Sequence, residues 1–404
     1  MTTLGLAARN LLRNKRRTVM TLLSMIVAST AIIVFGGFIS FSFEGLREST
    51  IRTQLGHFQI AKNGYFEQGS ELSNDFLIDD PEHIEEQLYA LPHIQSITRR
   101  LTGSGLIGTE GHTLSVKLIG VMPEREEEFA VFETIINGMQ LDANMTDGCV
   151  IGSELAKGLR VAPDATVTIL STTLQGVINA VDCQVVGIVR TTSREYDKVY
   201  VKLPLPHLQR LLDTQKIERI LLLADDTAYM PIIAKQLSNL AGTQYEIKTW
   251  FELAEFYRRV FNLYTSIFQI TSAILGIVVF LSIANIMSMT VFERFQEIGT
   301  LRAIGQTRSK ILYLFITEGV LIGIVGGVIG AGVGIAVSML INIKGGISVP
   351  PPPGMSSGYT AYITINVRTV LYAFSTSLIA ASLSSFYPAY RASKFDVIKA
   401  LQYR

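Results

Sequence analysis

Four long apolar stretches dominate the pattern of hydrophobic and polar positions along the chain. A helix that crosses a bilayer needs about 20 mainly apolar residues. The predicted spans cover residues 18–43, 260–292, 311–343 and 367–390. The first two contain no charged residue, and the third contains only Glu318, close to one end. The pattern therefore predicts four transmembrane helices.

The basic segment before the first span raises the alternative of a cleaved signal peptide. Such a peptide has an apolar core of about 7–15 residues followed by a small-residue cleavage site. The uncharged run from Thr18 to Phe43 is much longer and ends in bulky aromatic residues. We therefore predict that the first span is a permanent anchor.

Lysine and arginine near the span ends predict the orientation, because cytoplasmic loops carry an excess of them. Three basic clusters would share one side of the membrane: Arg9, Arg13, Lys15, Arg16 and Arg17; Arg294, Arg302, Arg308 and Lys310; and Arg391, Lys394, Lys399 and Arg404. The loop 344–366 has only Lys344. We predict that the N-terminal helix 1–17, the segment 293–310 and the tail 391–404 are cytoplasmic, and that 44–255 and 344–366 are extracytoplasmic.

The long region 44–255 has the pattern of a mixed α/β domain. Six short runs of alternating or β-branched residues predict strands: HFQIAKN, TLSVKLIGV, ATVTIL, VDCQVVGIVR, KVYVKL and ERILLLA. Four others predict short helices: PEHIEEQLYALP, GSELAKGLRV, LPHLQRLLDT and YMPIIAKQLSNLAG. Pro81 fits a first helical turn, and Ser153 is a candidate N-cap. From Phe251 to Tyr264 the pattern becomes helical and predicts a stalk that continues into the second span.

Composition agrees with a membrane protein and excludes some partners. Of the 404 residues, 48% are hydrophobic and only 17% are charged, whereas soluble domains are typically about a quarter charged. The net charge of +1 gives no electrostatic reason to expect nucleic acid as a partner. The expected surroundings of the spans are lipid.

Motifs for catalysis or cofactor binding are weak. The run GSGLIG from Gly103 to Gly108 matches a dinucleotide fingerprint, but that site needs a helix after the glycines, and here a predicted strand follows. The five histidines have no metal-ligand spacing, and the chain contains no HExxH and no Gly-Lys dipeptide of a phosphate-binding loop. We expect no enzyme activity, cofactor or metal in this chain.

Cys149 and Cys183 both lie in the predicted extracytoplasmic domain, where disulfides persist. Sequence spacing does not give their separation in space, on which a bridge depends. Two alternatives therefore remain for these cysteines: a disulfide bond or a pair of buried thiols.

The third span carries glycines at a regular spacing of four residues. They form two overlapping series, Gly319, Gly323 and Gly327, and Gly326, Gly330 and Gly334. Small residues at this spacing allow helix backbones to approach closely in lipid. We predict that this span is packed at the centre of the helix bundle.

The polar segment between the second and third spans has helical apolar spacing at Phe295, Ile298 and Leu301. Gly299 and Gly305 would break or bend that helix. We predict an amphipathic coupling helix that docks in a groove of a cytoplasmic partner, with Ile298 and Leu301 as apolar anchors.

This segment resembles the permease subunits of type VII ABC transporters, which include macrolide exporters, lipoprotein-release permeases and the cell-division permease. Their E-R-x-x-E-I-G-x-L-R-A-x-G pattern corresponds to Glu293, Arg294, Glu297, Ile298, Gly299, Leu301, Arg302, Ala303 and Gly305. YPAYRASKFDVIKAL resembles their C-terminal motif, although Phe395 and Asp396 stand where a proline is usual. LAARNLLRNKRRT is similar to their N-terminal helix, and CVIGSELAKGLRV to part of their outer domain.

The resemblance implies a mechanotransmission-type permease in the cell inner membrane. It implies a homodimer or heterodimer with two copies of an ABC ATPase, which would bind ATP and magnesium. The expected function is extraction or export of a lipoprotein or other amphiphilic cargo, with a periplasmic carrier or adaptor as a further partner. Two alternatives are an efflux permease for macrolides or peptides and a non-transporting regulator of a cell-wall hydrolase.

Overall fold

The computed structural model describes residues 15–68, 74–240, 244–351 and 358–394. The chain divides into two compact units. The membrane unit consists of residues 1–44, 260–348 and 360–404, and the α/β unit consists of residues 45–259 and 349–359. Most of the predicted N-terminal helix 1–17 and of the tail 391–404 lies outside the described residues.

Helices and strands alternate irregularly along the described residues. The α-helices are α1 Lys15–Thr50, α2 Tyr65–Gln68, α3 Pro81–Tyr89, α4 Pro123–Phe129, α5 Ser153–Leu159, α6 Arg194–Asp197, α7 Leu205–Leu212, α8 Met230–Leu240, α9 Trp250–Leu253, α10 Glu255–Glu293, α11 Phe295–Ala303, α12 Arg308–Ile343 and α13 Val367–Ser393. The strands are β1 Phe58–Lys62, β2 Ile94–Gly108, β3 Thr113–Val121, β4 Thr134–Gly138, β5 Gly148–Gly152, β6 Thr166–Thr172, β7 Ile178–Arg190, β8 Tyr200–Pro204, β9 Arg219–Ala224, β10 Tyr245–Thr249, β11 Ile347–Val349 and β12 Tyr359–Ala361.

Four helices of the described residues are long and apolar enough to cross a membrane: α1, α10, α12 and α13. Each contains one predicted span, so the prediction of four transmembrane helices is confirmed. A π-helical turn, Ile51–Leu55, follows α1.

Serine hydroxyls take part in the packing of these helices. The Oγ atoms of Ser29 in α1 and Ser377 in α13 are 2.8 Å apart, and both residues are buried. The two hydroxyls can thus form a hydrogen bond with each other between the helices.

The α/β unit is built on a ten-stranded sheet that closes on itself. The pairings β2–β3, β3–β8, β8–β5, β5–β7, β7–β6 and β6–β2 form a complete circuit of six strands. Of these pairs, β3–β8 and β5–β7 are parallel and the rest are antiparallel. The first half of β2 pairs with β9, and β1 and β10 extend the sheet from there. Closure leaves few free strand edges and surrounds a core rich in leucine, isoleucine and valine.

All six predicted strands and all four predicted helices of this unit are confirmed. The run from Gly103 to Gly108 forms the end of β2, and the strand predicted to follow it is β3, which pairs with β2. A Cβ atom on Gly105 would lie 2.3 Å from the Leu170 carbonyl oxygen. The glycine therefore permits the close pairing of β2 with β6 that closes the sheet.

Two local predictions were wrong. Ser153 is not an N-cap: Gly152 holds that position, and the Ser153 hydroxyl donates to Asp197 Oδ2 at 3.3 Å. The stalk is not one helix from Phe251 onward. A capping box of Thr249 and Glu252 starts the short helix α9, and the backbone at Ala254 interrupts it before α10 begins.

Cys149 and Cys183 are free thiols in the structure, so the alternative of a disulfide is not realised there. They lie on the paired strands β5 and β7, and both side chains are buried. Burial raises the pKa of the Cys183 thiol, and a hydrogen bond with Cys149 acts in the same direction. The two residues thus act as small apolar side chains of the core.

Candidate coupling site between the second and third spans

The segment between the second and third spans forms the short helix α11, as predicted. Arg294 holds the N-cap position directly after α10. Gly305 has φ +95° with nothing within 4 Å of an added Cβ, so glycine is required there by backbone conformation alone. The N–H groups of Gly305 and Gln306 donate to the Arg302 and Leu301 carbonyl oxygens, both at 3.1 Å, and close the helix end. Gly299 does not break the helix and is buried within it.

Arg294 is not a surface residue. Its Nη1 donates to Glu318 Oε1 at 2.9 Å, and the side chains of Arg294 and Glu318 are only 5% and 3% exposed. The pair joins the start of α11 to α12. Sequence reasoning noted Glu318 as the one charge within the third apolar run but gave it no role. A lone acid at a span end near a basic segment was the available signal.

Ile298 points into the bundle. It is 2% exposed and belongs to a buried cluster with residues of all four spanning helices, among them Val291, Ile311, Phe315 and Ala392. The prediction that Ile298 fills a groove of a partner is therefore wrong, because its side chain is buried within this chain. The three residues at this spacing differ in burial: Ile298 is buried, Phe295 is half-buried and Leu301 is exposed.

The exposed face of α11 carries two apolar side chains one turn apart. Leu301 is 36% exposed and Ile304, directly after the helix, is 78% exposed. The side chain of Glu297 is 52% exposed on the same face, and Ala303 is exposed as well. We define Glu297, Leu301 and Ile304 as the coupling face. Sequence reasoning missed Ile304, although its spacing of three from Leu301 was the signal.

Further polar contacts join this segment to the other spans of the membrane unit. Arg17 of α1 forms a two-pronged ion pair with Glu293 at the end of α10. Arg302 Nη1 donates to the Ser393 carbonyl oxygen at the end of α13, at 2.9 Å. Together with the pair of Arg294 and Glu318, these contacts tie the helix α11 region to α1, α12 and α13. Arg302 thus donates to a carbonyl at a helix end, where backbone carbonyls lack partners within the helix.

The two glycine series of α12 contact two different helices. A Cβ atom on Gly319, Gly323 or Gly327 would meet α13, with Phe374 as the neighbour of Gly327 at 2.8 Å. The other series, Gly326, Gly330 and Gly334, would meet Met25, Ser29 and Ile33 of α1. One helix with two glycine faces can pack closely against two partners.

Within residues 15–68, 74–240, 244–351 and 358–394, no cluster of three or more histidine, cysteine or acidic side chains could hold a metal ion. The buried cluster and the polar contacts join the α11 region to the spanning helices of the membrane unit.

Comparisons with known proteins identify the family. The FtsX-like permease C-terminal family matches residues 270–397, which include α11, α12 and α13. The MacB-like periplasmic core domain family matches residues 18–240, more than half of the chain. The chain belongs to the type VII ABC permease family. The mixed α/β unit of this permease is therefore its extracytoplasmic domain.

Several relatives of the permease are similar over part of their length. A macrolide export ATP-binding/permease protein MacB from Bdellovibrio bacteriovorus is 23% identical over 81% of this chain and 49% of the relative. The lipoprotein-releasing system transmembrane protein LolC from Haemophilus influenzae is 29% identical over 32% of this chain and 32% of the relative. The permease thus spans about half the length of the first relative and about a third of the second.

The chain is also similar to a solved structure of the periplasmic region of MacB from Actinobacillus actinomycetemcomitans. It shares 15% identity, covers 52% of this chain and 95% of the solved chain, and has a TM-score of 0.37. A similarity of this size carries no argument about function.

Proposed function

We propose that the permease couples an ATPase to the movement of an amphiphilic cargo across or out of the cell inner membrane. Two ABC ATPase subunits on separate polypeptides, with their own ATP and magnesium, bind the coupling faces of a permease dimer. Both termini and α11 lie in the cytoplasm. The permease itself catalyses no reaction.

The single observation that carries this proposal is the two-sided character of α11. Its outer side presents Leu301 and Ile304 to solvent, and its inner side contributes Ile298 to the buried cluster. A loop that only connected two spans would need neither a buried anchor nor three polar ties to other helices. An apolar face on a helix that is fastened to the bundle fits a groove in a partner.

In this mechanism, closure of the ATPase pair displaces α11 and the ends of the spanning helices. The motion then travels along α1 and α10, which each contain residues of both units. The conformational change of the α/β unit moves the cargo, so no solute has to pass through a polar pore. Mid-span charges, which mark many ion-coupled carriers, are not needed in such a mechanism.

For the cargo we propose a lipid-anchored protein or another amphiphile that is handed to a periplasmic carrier. The similarity to LolC, a lipoprotein-releasing protein, supports this choice. A second candidate is efflux of a macrolide or peptide together with an adaptor protein. It is favoured by the MacB relative, whose match covers more of the chain.

Reconstitution with the ATPase of a neighbouring gene tests the proposal. The permease and the ATPase are purified together and inserted into proteoliposomes that hold a fluorescent lipidated peptide. We expect ATP-dependent release of the peptide to a soluble acceptor, and no release with a non-hydrolysable ATP analogue. Efflux of erythromycin without release of the peptide would favour the second candidate. Failure of the two proteins to co-purify would contradict the coupling function itself.

A further inference from the structure

A cavity of about 600 Å³ opens in the extracytoplasmic α/β unit, and no part of the proposed transport mechanism uses it. Ligand pockets for small molecules have volumes of about 300–1,000 Å³. The walls come from β2, β3, β6 and β9. Half of the lining residues carry hydroxyl groups, among them Ser104, Ser171, Thr172 and Thr173.

The single acid in this wall is already engaged. Glu218 is 3% exposed, and its Oε2 accepts a hydrogen bond from Thr102 Oγ1 at 2.7 Å. Its Oε1 accepts one from the Tyr65 hydroxyl. Both carboxylate oxygens are therefore occupied by neutral donors. No described cation lies within ion-pair distance of this carboxylate.

Two cations, Lys117 and Arg219, line the same cavity; neither forms an ion pair with a carboxylate of the described residues, although the charge of Glu218 acts on both. Arg219 donates only to the neutral Gln59 Oε1, at 3.3 Å, and its Nε atom is buried with no hydrogen-bond acceptor. Lys117 makes no side-chain hydrogen bond or ion pair in the described part of the chain. Partial burial and the nearby charge of Arg219 lower the pKa of Lys117, and the charge of Glu218 opposes this shift in part. The buried Arg219 Nε lacks an acceptor, which is costly, and the positive charges of Lys117 and Arg219 repel each other. An anion that accepts from both side chains would therefore be stabilised.

We propose that this cavity binds the phosphate group of a small hydroxylated molecule, with Lys117 and Arg219 as its charge partners. A phosphate oxyanion offers several acceptor oxygens, and arginine and lysine are the side chains that most often bind it. The serine and threonine hydroxyls would bind the polyol part, since each can donate or accept. The source of the group is either a soluble polyol phosphate or the head group of a phospholipid. The inference is independent of the ATPase and of the transported cargo.

Binding of sn-glycerol 3-phosphate to the full-length permease in detergent tests this site by isothermal titration calorimetry. We expect saturable binding to the wild type and at least tenfold weaker binding to Lys117→Gln. Lys157→Gln removes the same charge from an exposed position of the same unit and should bind like the wild type. Lys117→Arg keeps the charge and should retain most of the affinity. Thermal unfolding of each variant establishes that the fold is retained.

Nanodiscs distinguish the two sources. If phosphatidylglycerol nanodiscs suppress glycerol 3-phosphate binding relative to phosphatidylcholine nanodiscs, the head group of an anionic lipid occupies the cavity. If binding is the same in both, the site takes a soluble phosphate. The proposal is overturned if the wild type shows no saturable binding in detergent, or if Lys117→Gln binds as tightly as Lys157→Gln.

Discussion

Arg294 and Glu318 form a buried ion pair at 2.9 Å between the N-cap of α11 and the helix α12. Breaking such a pair from one side leaves an uncompensated charge and typically costs about 3–5 kcal/mol. We expect Glu318→Gln to lower the thermal stability of the purified permease strongly. Glu297→Gln removes an exposed acid of the same segment and should change it little. Equal melting temperatures for the two variants would show that the ion pair does not hold the bundle.

Substitution at Gly330 should overpack the contact between α12 and α1. A Cβ atom there would lie 2.8 Å from Ser29 Cβ, whereas one on Gly332 would meet nothing within 4 Å. We expect Gly330→Leu to cost about 1–3 kcal/mol and Gly332→Leu to be tolerated. Thermal unfolding in the same detergent compares them. Similar losses in both variants would mean that leucine disturbs the helix by itself and not through α1.

Ile298 and Ile304 should respond differently to the same substitution. Ile298→Asp places a charge in the buried cluster and should destabilise the permease itself. Ile304→Asp changes a side chain that is 78% exposed, so the fold should survive. If Ile304 is an anchor of the ATPase interface, its loss should weaken ATPase binding by about 2 kcal/mol or more. Co-purification measures ATPase binding, and thermal unfolding measures the stability of each variant. Normal ATPase binding by Ile304→Asp would show that Ile304 is not part of the interface.

His57 makes the α/β unit sensitive to acid. Its Nδ1 accepts a hydrogen bond from the Ala224 N–H at 3.1 Å, which requires an unprotonated Nδ1. Burial lowers the pKa of His57 from 6.5 to about 4. The unfolded chain therefore binds a proton first as the pH falls, and folding stability decreases between pH 6.5 and pH 4.

The difference between these two pKa values corresponds to about 3 kcal/mol, present above pH 6.5 and lost near pH 4. We expect His57→Gln to flatten the stability profile in this window, and His112→Gln, at an exposed position, to leave it unchanged. Denaturant unfolding of the three proteins at several pH values gives the comparison. A wild-type profile that is flat over this range would contradict the assignment.

The orientation of the permease can be tested with single cysteines in a background that lacks Cys149 and Cys183. We expect a cysteine at Gln306, after α11, to be protected from an impermeant thiol reagent in spheroplasts. A cysteine at Gly111, in the exposed turn between β2 and β3, should be labelled. Labelling of position 306 before lysis would overturn the predicted topology.

Sequence patterns predicted most secondary structure of the α/β unit, but they missed parts that depend on contacts. β2 escaped prediction because Arg99 and Arg100 interrupt its apolar alternation. In the structure these charges have partners, since Arg99 binds Glu85 at 2.7 Å and the buried Arg100 binds Glu126 at 2.9 Å. A charged residue in a strand can be recognised as buried only when its partner is known, and both partners lie on other elements.

The sequence by itself determined the four spanning helices, the glycine faces of α12 and the presence of α11. These features follow from runs and periods of a few residues, and a lipid environment enforces them locally. Only the tertiary structure decided that Ile298 faces inward while Leu301 and Ile304 face outward, because that depends on how α11 lies against the other helices. It also brought Lys117 of β3 and Arg219 of β9 to one cavity, through strand pairings between distant parts of the chain that no local pattern specifies.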